Sequence, residues 1–272
     1  MSPMKRLSCF ATLVGLVAAT GAYAQVSSVN SAVLVPRVFN DIPAATFTGV
    51  NNYPGSISIA ESSVSKVGGF ANRDVWYFSN NGGASAYQFQ NNDYFHASFG
   101  LTLTGSGTLG IDLEAGWLFS NPSGGFGGDL QSIVKPDGEV VQFGGPSFFG
   151  FSPANGGTSV PNYTLGATYT MGLNYVVDPN TGMNAFQYSV NGQFATSSPG
   201  DTYFDLGPGV GAGSIGGNPL GGYLQIQNDP NNPNNNGTAV FSNIILTAVP
   251  EPSALALLGL GIVTLVFRRR GN

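Results

Sequence analysis

The chain has 272 residues, a formal net charge of −5 and only 8% charged side chains. Forty glycines and 17 prolines would point to disorder if apolar residues were scarce, but 42% hydrophobic and 12% aromatic content supplies a core. That mixture favours short strands joined by tight turns over helices, and too few basic side chains are present to neutralise a nucleic acid.

In chain order, Lys5 and Arg6 precede an apolar run from Leu7 to Ala19 and the small-residue stretch Thr20-Gly21-Ala22-Tyr23-Ala24. A basic start, a short apolar segment and an Ala-x-Ala site read as a secretory signal peptide over 1–24, cut after Ala24 by the general secretion machinery. Cys9 leaves with it, so the mature chain has no disulfide framework and no thiol chemistry. Residues 25–248 form the predicted domain. Up to residue 249 it keeps four cations (Arg37, Lys66, Arg73, Lys135) against thirteen carboxylates, a net −9. Anionic polymers are repelled by such a domain at low salt; neutral glycans and cations are not.

Within it, Phe95, Ala97, Phe99, Leu101 and Leu103 alternate with polar or small residues. The alternation resumes after Gly105-Ser106-Gly107 with Leu109, Ile111, Leu113, Ala115, Trp117 and Phe119. Period two on either side of a glycine turn predicts a long hairpin with one buried face. A second meander is predicted from Tyr169 to Val177, then through Asp178-Pro179-Asn180-Thr181-Gly182, Phe186 to Val190, and an Asn191-Gly192 turn before Phe194. Further strands are expected at Asp74–Phe78, Ala86–Gln90, Glu139–Phe143, Tyr223–Gln227 and Ala239–Thr247. No interior stretch keeps a helical period. The fold class is all-β, an antiparallel two-sheet jelly-roll sandwich. The segments Asn92–Phe119 and Tyr169–Phe194, with the closing strand Phe241–Leu246, resemble the concanavalin A-like lectin/glucanase superfamily.

The domain's chemistry is narrow. With His96 the one histidine and no cysteine, zinc catalysis and a Ser-His-Asp triad are disfavoured, and His96 reads as an ordinary strand residue. Asp112 and Glu114, two apart, project from the face opposite Ile111 and Leu113. The stretch Gly110-Ile111-Asp112-Leu113-Glu114 is similar to the catalytic strand of laminarinase-like family 16 glucanases, with Gly110 where that family has its nucleophile. The resemblance implies a retained acid/base position at Glu114 and no nucleophile. The competing reading is a pair of solvent-facing carboxylates that aid solubility. Trp76, Tyr87 and Tyr94 are candidate stacking platforms for a sugar, although most aromatics of a sandwich are core. No cofactor is expected. Calcium is the ion that loop oxygens of Asp178 and Asp229 would suit, without EF-hand spacing.

At the far end, Pro250-Glu251-Pro252 leads into an apolar run ending at Phe267 and then Arg268-Arg269-Arg270. The run from Ser253 spans roughly 22 Å as a helix at about 1.5 Å per residue, a marginal transmembrane length. These residues resemble the PEP-CTERM sorting signal of Gram-negative bacteria, covering 249–272. The resemblance implies transient anchoring in the inner membrane, cutting by an exosortase and release to the cell surface or matrix of an exopolysaccharide producer. Three functions follow: a non-catalytic lectin-like module for that polysaccharide, a hydrolase or lyase acting through Asp112 and Glu114, or a purely structural envelope protein.

Overall fold

The computed structural model describes residues 26–64, 70–106, 113–120, 129–143, 149–150, 162–196, 200–206, 215–227 and 235–249. The predicted signal segment with Ala22 and Ala24, the apolar tail with Pro250, Glu251, Pro252, Arg268, Arg269 and Arg270, and both predicted terminal helices lie outside them. Among the described residues, no helix is long and apolar enough to cross a membrane.

Two antiparallel sheets pack face to face as a jelly-roll-type sandwich. The first has seven strands in the order β1 (Ser31–Asn40), β4 (Ala71–Ser79), β14 (Leu220–Gln227), β6 (Leu113–Phe119), β7 (Leu130–Val134), β8 (Val140–Phe143) and β9 (Phe149–Gly150). The second has eight: β12 (Gln193–Phe194), β11 (Asn184–Val190), β10 (Thr168–Val177), β5 (Phe95–Ser106), β15 (Asn235–Ala248), β3 (Ser56–Val64) and β2 (Thr46–Asn52), with β13 (Phe204–Asp205) against β11.

Strand alternation sends every second side chain into the space between the sheets. From β5 come Phe95, Phe99, Leu101 and Leu103; from β6, Leu113, Ala115, Trp117 and Phe119. Phe99 and Trp117 meet across the sandwich with ring centroids 4.0 Å apart, and Trp76 packs edge-on against Phe78 at 5.1 Å and Phe241 at 5.7 Å. The alternation of β5 and β6 is therefore as expected, but their pairing is not. They lie in opposite sheets and face one another across the core, so the predicted hairpin is corrected. Period two identifies a strand with a buried face; it does not say whether the next strand lies beside it or opposite it.

The second meander folds as a hairpin. Met171 pairs with Val190 and Tyr175 with Phe186, and Asn191 and Gly192 take φ of 51° and 78° in the turn to β12. The expected strand over Ala86–Gln90 is reduced to a single bridge, Phe89 with Asn218. Tyr87 and Phe89 are drawn into the core individually and not as part of a ladder.

Candidate functional site

On the outer face of the seven-stranded sheet, the odd-numbered residues of β4 and β14 and the even-numbered ones of β6 line up. Tyr223 stands between Val75 and Gly116, and Gln225 between Arg73 and Glu114. Gly116 and Gly221 carry no side chain there, and an added Cβ at Gly116 would lie 1.9 Å from Ser132 O. At both glycines the neighbouring strand's backbone takes up the space of a side chain.

Arg73 Nε donates to Gln225 Oε1 at 2.7 Å, its Nη1 donates to Asp129 Oδ2 at 3.0 Å, and its guanidinium lies 5.3 Å above the centre of the Tyr223 ring. In the amide orientation that satisfies both groups, Gln131 accepts from Nη2 at 2.8 Å and from Nη1 at 3.1 Å. Beneath, Glu114 Oε1 accepts from the Tyr223 hydroxyl at 3.0 Å and from Gln225 Nε2 at 2.9 Å. Lys135 and Glu139, joined as an ion pair, lie beyond Glu114.

The network is layered by depth. Tyr223 has no exposed surface and Glu114 is 5% exposed, whereas the side chains of Arg73 and Asp129 keep 19% and 31%. Burial raises the Glu114 pKa, opposed by the Tyr223 hydrogen bond and by the charges of Lys135 and Arg73. Burial likewise holds the Tyr223 hydroxyl protonated well above the ordinary range. The partly exposed Arg73 guanidinium and Gln131 amide can hydrogen-bond sugar hydroxyls, whereas Gln225, 4% exposed, is committed to Arg73 and Glu114. The two groups capable of proton transfer lie beneath.

The sequence-derived candidates are scattered. Glu114 is in this network, yet it is a buried hydrogen-bond acceptor and not the solvent-facing carboxylate that strand alternation suggested; β6 is covered on both faces. Asp112 lies outside the described residues. Trp76 is fully buried in the core and presents no ring face, which corrects its reading as a platform. Tyr87 is 6% exposed and donates to Asp93 Oδ2 at 2.7 Å, so it too is interior. Tyr94 is half-buried at the rim, stacked on Tyr175 and donating to Asn184 Oδ1 at 2.8 Å. Asp178 is buried and organises its own turn, accepting from the Asn180 amide at 2.7 Å and the Thr181 hydroxyl at 3.1 Å. Asp229 lies outside the described residues, among which no three carboxylate, histidine or cysteine side chains are gathered to hold a metal. His96 is exposed on the opposite sheet. Arg73, Gln131, Gln225 and Tyr223 were missed as a site. The available signal was the outward register of Arg73 on β4 and of Tyr223 and Gln225, two apart, on β14.

Residues 248–270 match the PEP-CTERM protein-sorting motif. That motif implies an exported protein processed by an exosortase and sorted to the cell surface. No curated protein sequence matches the chain. Among solved structures it is similar to a family 7 alginate lyase, A1-II′, at 12% identity and a TM-score of 0.45, covering 75% of this chain and 83% of that one. It is also similar to the cellulose induced protein Cip1 (14%, TM-score 0.44, 80% and 92% covered). A third is the carbohydrate binding module CBM66 from Bacillus subtilis (10%, TM-score 0.39, 80% and 96% covered). At these identities, activity has to be read from this chain's own residues.

Proposed function

We propose that this protein is a cell-surface or matrix component that binds its producer's exopolysaccharide through the outer face of the seven-stranded sheet, without cleaving it. The observation that carries the reading is the Arg73 array, in which Gln225, Gln131 and Asp129 hold the guanidinium over Tyr223 near the surface. Planar donors and acceptors fixed in advance lose little entropy when a sugar arrives. Because Asp129 already neutralises Arg73 and the domain is acidic, the array suits neutral sugars better than uronates.

Turnover is disfavoured by depth. A general acid or base must come within hydrogen-bond reach of the substrate, and Glu114 and Tyr223 are covered by the array they support. Affinity electrophoresis of the exported protein through gels containing purified exopolysaccharide tests the reading. Retardation that falls at least tenfold in R73A, with the variant still folded by circular dichroism at the assay temperature, is the expected result. No retardation in any host polysaccharide refutes the binding role. New reducing or unsaturated ends in the polymer refute the non-catalytic one.

A further inference from the structure

A second polar cluster lies inside the sandwich at one end, away from the Arg73 face. Glu61 on β3 and Asp74 on β4 belong to opposite sheets, and their exposures are 1% and 0%. Asp74 Oδ1 accepts from the Arg37 amide at 2.8 Å. Glu61 Oε2 accepts from Asn72 Nδ2 at 3.4 Å, while Asn72 also clasps both backbone groups of Ile42. That leaves Asp74 Oδ2 buried without a hydrogen-bond donor, and Glu61 Oε1 held only by the ion pair with Arg37 Nε, outside hydrogen-bond geometry. Both carboxylates lie against Arg37 and each raises the cost of charging the other, so one proton relieves two buried acceptors so placed.

A metal ion does not suit this pair, because Arg37 already supplies the cation. Its Nε is 3.3 Å from Glu61 Oε1, and its two terminal nitrogens donate to Asn40 Oδ1 and to the carbonyls of Ile42, Pro43 and Ala45. One guanidinium balances one carboxylate, so the second carboxyl has to be neutral.

We propose that Glu61 and Asp74 share one proton and form a pH-sensitive clasp that fastens the two sheets, and with them the corner built by Arg37 to Ala45. That corner is backbone under constraint: β1 breaks register between Val35 and Phe39, and Arg37 sits at φ 56°. It also carries an exposed apolar patch, in which Phe39 (39%) and Phe70 (56%) meet edge-on at 6.2 Å beside Val38 (45%). Loss of the proton sets two buried carboxylates against one guanidinium and loosens the hold on this patch.

The direction of the titration agrees. Burial first, then the charge and hydrogen bond of Asp74, push Glu61 up to about 7, against the pull of Arg37 and Asn72. Asp74 is raised as well, mainly by burial. Among the described residues Arg37 is the charged group acting on the pair. The residues paired opposite from the flanking strands, Phe47 of β2, Leu224 of β14 and Gly237 of β15, carry no charge. A folded-state pKa above the unfolded value gives stability that is complete below the ordinary glutamate range and lost as pH rises through about 7.

The test is chemical denaturation of the exported protein between pH 5.5 and 8. The unfolding constant of the natural protein is expected to rise about thirtyfold over that window. In Glu61→Gln, whose amide donates to Asp74 without titrating, most of the rise is lost, and the Arg37 and Ile42 amides keep their exchange protection at pH 8. The carboxyl carbon of Glu61, followed by NMR in the unaltered protein, titrates near 7, and in Asp74→Asn its midpoint drops. Equal pH slopes in natural and E61Q protein overturn the clasp. If E61Q does not fold, a Glu61 carboxyl that titrates in the ordinary carboxylate range overturns it.

Discussion

Gly116 lies where β6 closely approaches the backbone of β7, and replacing it by alanine gives a sharp test of the packing. The added methyl would sit 1.9 Å from Ser132 O and 2.8 Å from Ile133 Cα, whereas ordinary contact begins at 3.4 Å. Both obstacles are backbone, so relief requires β6 and β7 to separate by more than an ångström. A separation that large breaks the nearby ladder bonds, at about 1 kcal/mol each, and adds overpacking strain of about 1–3 kcal/mol. G116A should therefore lose about 3–5 kcal/mol, which for a domain of this size lowers the melting temperature by about 10 °C. Gly100 is the matched control. Its methyl would meet Ser242 Oγ at 2.7 Å and Thr168 Cγ2 at 3.2 Å, both ends of side chains that can turn aside. G100A should stay within about 1 kcal/mol, helped by the smaller entropy of the unfolded chain. Differential scanning calorimetry of both variants decides. A G116A midpoint within about 3 °C of the parent, or equal losses in both variants, would refute the close-approach argument.

Three further outcomes follow from named contacts. Phe99→Ala removes the ring that faces Trp117 across the sandwich and should cost about 3–5 kcal/mol in urea denaturation. Tyr223→Phe withdraws one donor from buried Glu114 and should cost about 1–3 kcal/mol at neutral pH. Because that donor holds the Glu114 pKa down, the loss should shrink as acid protonates the carboxyl; a pH-independent loss would contradict the assignment. Asn191→Ala forces a methyl-bearing residue into φ 51° and deletes the acceptor for the Thr170 amide, so about 1–2 kcal/mol should be lost, with Asn191→Gly recovering most of the backbone share.

Sequence alternation carried much of the fold. Each of β5, β6, β10 and β11 has a strictly apolar inner register, and Asn191-Gly192 has the backbone freedom that its turn demands, so these could be read directly. What alternation lacks is partner identity. Phe99 and Trp117 look the same whether their strands are neighbours or face one another. Strands β1 to β3 escape a period-two reading because valines fill the outer register of β1, Pro36 interrupts it, and Gly49 and Glu61 break the inner registers of β2 and β3. The Arg73 array was invisible for a different reason. Its members come from β4, β7 and β14, more than 150 positions apart at the extremes, and only the strand order brings Arg73 beside Gln225. Burial of Glu114 was equally hidden, since one strand's pattern does not reveal what covers its outer side. The Glu61–Asp74 pair shows the limit most plainly: each is a single acidic residue in an otherwise ordinary strand until two sheets close upon them.

The position of β15 bears on the order of events in the cell. This strand lies between β5 and β3 in the middle of its sheet, and its last residue, Ala248, is the first of the sorting motif. The Val249 amide is still docked, donating to Tyr94 O at 2.8 Å. A sheet whose central strand is contributed last cannot zip up progressively as the polypeptide emerges; its longest-range pairings wait for the final segment of the domain. The sandwich therefore closes only after the residues abutting the sorting motif are available, and a processing enzyme that needs slack near residue 249 meets a different substrate before closure than after it.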